Sequence, residues 1–152
     1  MEFTRKALLT LALCSLGTAA AQTAAELVTV TAIQSTLAGT QGVRVPTGTS
    51  FVTNPAHAAR LAPALLGAEA ARFTTPQLYT ARGLAMKLAD TYILQLTGNA
   101  AAAGYFAVGT RTLKVGADTW TRTNFENDEG RTMILLVTKR ADGVYFLTAT
   151  GK

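Results

Sequence analysis

The sequence predicts an α+β domain in which one long helix packs on a four-stranded antiparallel meander, preceded by smaller helices and strands. Three observations indicate this class. The middle of the chain has apolar residues at helical spacing. After residue 105, apolar and polar residues alternate with a period of two, and turn residues separate the β-rich runs. The chain has 152 residues, a length that suits a single domain with its own hydrophobic core.

The long helix is predicted from Thr75 to Gly98, because Thr75 and Pro76 suit the cap and first position of a helix. About 22 residues at roughly 1.5 Å each would span a small sheet. Gly83 is the weak point of this helix, since glycine disfavours a helix interior. The apolar residues at helical intervals are Leu78, Ala81, Ala85, Leu88, Tyr92 and Leu96.

The C-terminal part predicts four strands, separated by turn residues. The dipeptide Asp142-Gly143 is a strong signal for a hairpin between the last two strands. The run MILLV, residues 133–137, is apolar on both faces of a pleat, so we expect a strand that is covered on both sides or that lines a cavity. The predicted strands cover residues 105–115, 119–126, 131–139 and 144–150.

The N-terminal third predicts smaller elements. Residues 23–38 fit either a helix, through Thr23 and Glu26 as a capping box, or a strand, through their β-branched residues. The segment GVRVPTGTSFVT predicts two short extended stretches around a turn from Pro46 to Gly48. Asn54 and Pro55 then predict the start of a helix that Pro63 interrupts.

The first 21 residues resemble a secretory signal peptide, with a charged start, an apolar run of about ten residues and alanines before Gln22. The apolar run is about half the length of a membrane span. We therefore expect a signal peptide at 1–21 and one α+β domain at 22–152. Cys14 follows Leu13, whereas lipoprotein processing sites have a smaller residue there, so cleavage would leave a domain with no cysteine and no disulfide.

The chain is mildly basic, with a formal net charge of +5. The basic residues are scattered without a block of five or six, which disfavours a dedicated nucleic-acid surface. Polyanion binding is a second alternative function. It would require four cations to cluster on one sheet face: Arg111, Arg122, Arg131 and Lys139.

Few residues could carry catalysis or hold a metal ion. His57 is the single histidine, and it lies near a helix start, where the helix dipole disfavours imidazolium. The acidic run NFENDEG does not match the ligand spacing of an EF-hand. The sequence therefore predicts no metal, no cofactor and no catalytic residue. The main alternative is a small hydrolase of envelope polymers that uses His57, Asp90 or Glu126.

A helix packed on a curved sheet resembles the cystatin-like and NTF2-like folds, which often enclose an apolar pocket. The resemblance rests on the order of elements and not on a motif. The leading hypothesis is an exported, periplasmic or secreted, non-catalytic protein that binds a partner protein or a small apolar ligand. The residues expected to line the pocket are Tyr92, Phe106, Trp120, Met133, Leu135 and Phe146.

Overall fold

A computed structural model describes residues 30–33 and 35–151. The predicted signal peptide (1–21), Cys14 and the first part of segment 23–38 lie outside the described residues. The division into a signal peptide and a domain from residue 22 stays a prediction. The described elements, in chain order, are β1 (Val30–Ile33), β2 (Ser50–Val52), α1 (Pro55–Leu66), a 3-10 helix (Gly67–Arg72), β3 (Gln77–Arg82), α2 (Met86–Ala102), β4 (Tyr105–Val115), β5 (Asp118–Asn127), β6 (Thr132–Arg140) and β7 (Gly143–Thr150).

The seven strands form one open antiparallel sheet in the order β1-β2-β3-β7-β6-β5-β4. One side of the sheet packs against α2, and we call it the α2 face. The other side packs against α1, and we call it the α1 face. The α+β class and the antiparallel sheet are thus confirmed. The detail differs from the prediction, because three N-terminal strands extend the sheet beyond the four C-terminal ones.

The central strands have apolar side chains on both faces, which explains the run MILLV in β6. Met133, Leu135 and Val137 pack with α2 on one face, whereas Ile134 and Leu136 pack with α1 on the other. Neighbouring side chains of a strand point to opposite faces, and because a helix covers each face, both sets are buried. The core therefore consists of two apolar layers with the sheet between them.

The predicted helix from Thr75 to Gly98 is wrong over residues 75–85, whereas residues 86–98 are helical. Its first part is strand β3, which pairs with β7 over six residues from Gln77 opposite Thr148 to Arg82 opposite Gly143. Gly83 then adopts a φ of 74°, a left-handed conformation that ends the strand and cannot continue a helix. Because β3 is buried on both faces, apolar residues occupy adjacent positions along it. Some of these residues are therefore separated by intervals that also fit a helix.

The helix that does form, α2, begins at Met86 and continues past Gly98 to Ala102. It is followed by a turn in which Gly104 has a φ of 83°. No helix in the described part of the chain is long and apolar enough to cross a membrane.

The N-terminal elements follow the local signals in part. Asn54 caps α1 by accepting a hydrogen bond from the backbone N–H of Ala56, and Pro55 occupies the first turn as expected. Pro63 lies inside α1, which continues to Leu66 and is capped by Gly67.

The ambiguous segment 23–38 contains strand β1 in its described part, so the strand interpretation holds for Val30–Ile33. The two extended stretches around the Pro46–Gly48 turn do not pair with each other. Instead, Leu37 donates a backbone hydrogen bond to Val43, and Val45 donates one to Ser35. β2 pairs with β1 and β3.

Candidate functional site

A groove lies on the α2 face, between α2 and strands β5 and β6. We call it the α2 groove, and its volume is about 450 Å³. This volume falls within the range of small-molecule sites. The groove is lined by Asp90, Ile93, Thr97, Ala117, Asp118, Thr119, Thr121, Thr123, Leu135, Val137 and Lys139.

The lining consists of three rows contributed by three elements. Asp90, Ile93 and Thr97 are spaced at i, i+3 and i+7, so they form one stripe along α2. Alternate residues of β5, from Thr119 to Thr123, form a second row, because a strand presents every second side chain to one face. The third row comes from alternate residues of β6, from Leu135 to Lys139. The groove is therefore built on regular secondary structure.

Pairing between β5 and β6 aligns the second and third rows. Thr121 lies opposite Val137, and Thr123 lies opposite Leu135. Leu135 and Val137 are buried and form an apolar floor. The hydroxyl groups of the β5 threonines form a polar wall beside this floor.

Two ion pairs connect the elements that line the groove. On its α2 side, Nζ of Lys139 donates to Oδ1 of Asp90 at 2.9 Å. At its far end, Arg140 contacts both carboxylate oxygens of Asp118, with Nε 3.1 Å from Oδ1 and Nη2 2.5 Å from Oδ2. A two-point contact of this kind fixes the start of β5 relative to the end of β6.

A second concave region lies on the α1 face, between the 3-10 helix and β4, β5 and β6. We call it the arginine cleft, and its volume is about 510 Å³. It is lined by Glu69, Arg72, Phe73, Val108, Arg122, Asn124, Phe125, Gly130, Thr132, Met133, Ile134 and Gly151.

Arg122 is the central charged group of this cleft, and its side chain is only 3% exposed. Its Nη2 lies 2.6 Å from Oε2 of Glu69, and its Nε donates to Oδ1 of Asn124 at 2.9 Å. The hydrogen bond and the charge of Arg122 hold the pKa of the Glu69 carboxyl below its ordinary value, with smaller contributions from Arg111 and Arg72.

Of the six residues expected to line one apolar pocket, Tyr92, Met133, Leu135 and Phe146 lie together in the buried core under α2. Tyr92 and Phe146 lie in the core under α2, with ring centroids 6.3 Å apart. Met133 and Leu135 belong to this same core. Leu135 also forms part of the floor of the α2 groove, and Met133 also borders the arginine cleft. The other two lie elsewhere: Trp120 is buried in the α1-face core, and Phe106 is 56% exposed on β4.

The residues named for a hydrolase are also apart. Asp90 lies on α2 and pairs with Lys139, whereas His57 is buried in α1, with Nδ1 3.2 Å from Nη2 of Arg60. Glu126 is exposed on β5 and lines neither of the two regions. Among the described residues there is no group of three or more His, Cys, Asp or Glu side chains that could hold a metal ion.

The four cations that polyanion binding would require are not on one sheet face. Arg122 is buried on the α1 face beside Glu69, whereas Lys139 pairs with Asp90 on the α2 face. Arg131 lies in the turn before β6, with Nε 3.0 Å from Oε2 of Glu129. These residues therefore do not form the cluster that the polyanion-binding alternative would require.

The sequence alone did not predict either region, because each depends on elements that are distant in the chain. The helix stripe of Asp90, Ile93 and Thr97 depends on a helix that begins at Met86, eleven residues after the predicted start. The threonines of β5 alternate clearly in the sequence, but no local pattern shows that α2 lies across from them. The burial of Arg122 depends on Glu69, which is 53 positions earlier in the chain.

A scan against protein-family models finds no matching family, and searches of curated proteins and of solved structures find no match. No relative therefore supplies a function for the α2 groove or for the arginine cleft.

Proposed function

We propose that this chain is a non-catalytic binding protein that holds a small, mostly apolar ligand in the α2 groove. The observation that carries the proposal is the arrangement of the groove: an apolar floor of Leu135 and Val137 beside a row of threonine hydroxyls. Small-molecule sites commonly combine an apolar surface with a few polar groups that orient the ligand.

The floor favours a ligand with an apolar face. Leu135 and Val137 are core residues whose side chains also line the groove, and Ile93 adds a half-buried apolar side chain from α2. Because Leu135 and Val137 are already buried, the apolar surface that a ligand would remove from water lies mainly on Ile93, and its burial stabilises a complex by about 25 cal/mol for each Å².

The wall favours a ligand that also carries a hydrogen-bonding group. Thr119 and Thr121 are exposed, and each hydroxyl can donate one hydrogen bond and accept others. The ion pair between Asp90 and Lys139 is at the edge of the same groove, with the Asp90 side chain 81% exposed. A neutral molecule with one polar substituent would therefore match the groove better than a highly charged one.

The positions of the candidate catalytic groups support binding over hydrolysis. A hydrolase that used two of His57, Asp90 and Glu126 would need them at one cleft. His57 and Asp90 lie on helices that cover opposite faces of the sheet. We therefore retain the binding hypothesis as the leading one.

We also propose that the protein is exported to the periplasm or beyond the cell. The support comes from the sequence of residues 1–21, with its short apolar run and the alanines before Gln22. Mass spectrometry of the natively purified protein tests this proposal. We expect a chain that starts at Gln22, and an intact chain with Met1 recovered from the cytosol would contradict it.

Titration with 1-aminoanthracene, a neutral aromatic amine whose fluorescence rises in apolar surroundings, tests the groove. We expect saturable binding to the wild type and at least a tenfold loss of affinity in Thr121→Phe, which would fill the groove. The matched control is Thr112→Phe, because Thr112 lies directly opposite Thr121 on β4 but does not line the groove. The proposal is wrong if the wild type shows no saturable binding or if the two variants bind equally.

A further inference from the structure

The arginine cleft contains a buried cation that is only partly satisfied. Nε and Nη2 of Arg122 contact Asn124 and Glu69, but its Nη1 is buried and has no hydrogen-bond partner among the described residues. A guanidinium group has five N–H donors, two of them on Nη1. Burying such donors without a partner is unfavourable, so an acceptor from outside the chain would recover this free energy.

The charges around Arg122 leave a positive surplus. The Oε2 atom of Glu69 is 2.6 Å from Nη2 of Arg122 and 3.7 Å from Nη2 of Arg111. Arg72 lines the same cavity, and its charge also favours the ionised form of Glu69. Three guanidinium groups therefore surround one carboxylate, and among the described residues that line the cleft Glu69 is the only acid.

The walls of the cleft show which kind of anion would fit. Phe73 is half-buried at the end of the 3-10 helix, and Val108, at a β-bulge of β4, is 64% exposed. Both line the same cavity as Arg122. An inorganic anion would bind Arg122 and leave Phe73 and Val108 in water. An organic acid could bind Arg122 and also cover these two apolar side chains.

We propose that the arginine cleft binds a small organic carboxylate, whose charged end pairs with Nη1 of Arg122 and whose apolar part contacts Phe73 and Val108. Arginine suits this role because Nη1 carries two N–H donors, and a hydrogen bond between a guanidinium group and a carboxylate is stronger than one between neutral groups. This site is separate from the α2 groove, since Arg122 and Thr121 point to opposite faces of β5. Its failure would leave the groove proposal unchanged.

Isothermal titration of the wild type with sodium hexanoate, and separately with inorganic phosphate, tests the proposal. We expect saturable hexanoate binding and at least tenfold weaker phosphate binding. We expect Arg122→Met to weaken hexanoate binding at least tenfold. The matched control is Lys114→Met, which also removes one positive charge but at an exposed position outside the cleft, and we expect it to bind within twofold of the wild type.

A second variant keeps the test decisive if Arg122→Met fails to fold. Val108→Glu adds a carboxylate at an exposed position that lines the cleft, and we expect it to weaken hexanoate binding at least tenfold. Thr110→Glu adds the same charge to the same strand outside the cleft, and we expect it to bind within twofold of the wild type. The proposal is overturned if the wild type does not bind hexanoate saturably, if phosphate binds as tightly, or if the two glutamate variants behave alike.

Discussion

The hydroxyl groups of Thr49 and Tyr92 lie 2.5 Å apart and join the segment before β2 to helix α2. Thr49 also donates its single hydroxyl proton to the carbonyl oxygen of Pro46 at 2.6 Å. The shared contact therefore requires Tyr92 to donate to Thr49. Both side chains are buried, so this chain of hydrogen bonds anchors the N-terminal segment where water is excluded.

We expect Thr49→Val to lower the free energy of unfolding by about 1–3 kcal/mol, because valine has a similar shape but leaves the Tyr92 hydroxyl without its acceptor. Urea unfolding followed by the fluorescence of Trp120, the only tryptophan, measures the change. Thr112→Val is the matched control. Thr112 is exposed on β4, and we expect its replacement to change stability by less than about 0.5 kcal/mol. Equal effects of the two substitutions would contradict the role of Thr49.

Two buried tyrosines predict a loss of stability at alkaline pH. Burial raises the pKa of Tyr92 to about 12, and burial together with Asp142 raises the pKa of Tyr145 to about 12. A raised pKa means that the folded state holds the proton more tightly than the unfolded chain, whose tyrosines titrate near 10. The stabilising contribution is therefore complete below about pH 10 and is lost as the pH rises toward 12.

As the pH rises from 9 to 11, ionisation of each of these tyrosines in the unfolded chain should lower the free energy of unfolding by about 1.4 kcal/mol. Urea unfolding at several pH values measures the slope. In Tyr92→Phe we expect the loss over this range to be smaller than in the wild type by about the same amount. An identical pH dependence in the variant would show that Tyr92 titrates normally in the folded protein.

Local signals in the sequence were enough to predict the C-terminal strands and the start of α1. The Asp142-Gly143 dipeptide does lie at the β6–β7 hairpin, where Arg140 pairs with Gly143. Asn54 and Pro55 do begin α1. Each of these signals involves residues a few positions apart, whose chemistry decides the conformation without help from the rest of the chain.

Long-range pairing determined what the sequence could not show. Residues 77–82 became a strand because β7, more than sixty positions later, offers a complete hydrogen-bonding edge. The same limit applies to the two candidate sites. Only once the sheet has formed do Thr97 and Thr121 line the same α2 groove and does Glu69 form an ion pair with Arg122.

The ion pair between Glu69 and Arg122 predicts a loss of stability in acid. Because Arg122 holds the pKa of Glu69 below 4.5, the stabilising contribution of this carboxylate is complete above about pH 4.5 and is lost as the pH falls through the folded-state pKa. At pH 7 we expect Glu69→Gln to cost about 1–2 kcal/mol. This is less than for a fully buried pair, because the Glu69 side chain is 42% exposed.

Urea unfolding of Glu69→Gln and the wild type from pH 7 to pH 3 checks this prediction. The difference in stability between the two proteins should shrink as the pH falls. Glu129→Gln is the matched control, because Glu129 pairs with Arg131 and both side chains are exposed. Such surface pairs contribute about 0–1 kcal/mol. A constant difference across this pH range would contradict the assigned role of Glu69.

Two glycines should respond in opposite directions to the same substitution. Gly143 begins β7 with a φ of 147°, and a Cβ atom there would lie 2.2 Å from the carbonyl oxygen of Ala81. That oxygen belongs to the backbone of β3, so it cannot move aside without disturbing the β3–β7 pairing. We expect Gly143→Ala to cost more than about 3 kcal/mol, since it combines a clash with an unfavourable backbone conformation.

Gly98 is the matched control, because it lies in the exposed interior of α2 and a Cβ atom there meets nothing within 4 Å. Alanine favours a helix over glycine by about 1 kcal/mol, so we expect Gly98→Ala to raise the free energy of unfolding by up to that amount. Thermal and urea unfolding of both variants measure the two effects. A stable Gly143→Ala protein would mean that β3 and β7 do not approach each other as described, and the correction of residues 77–82 from helix to strand would then fail.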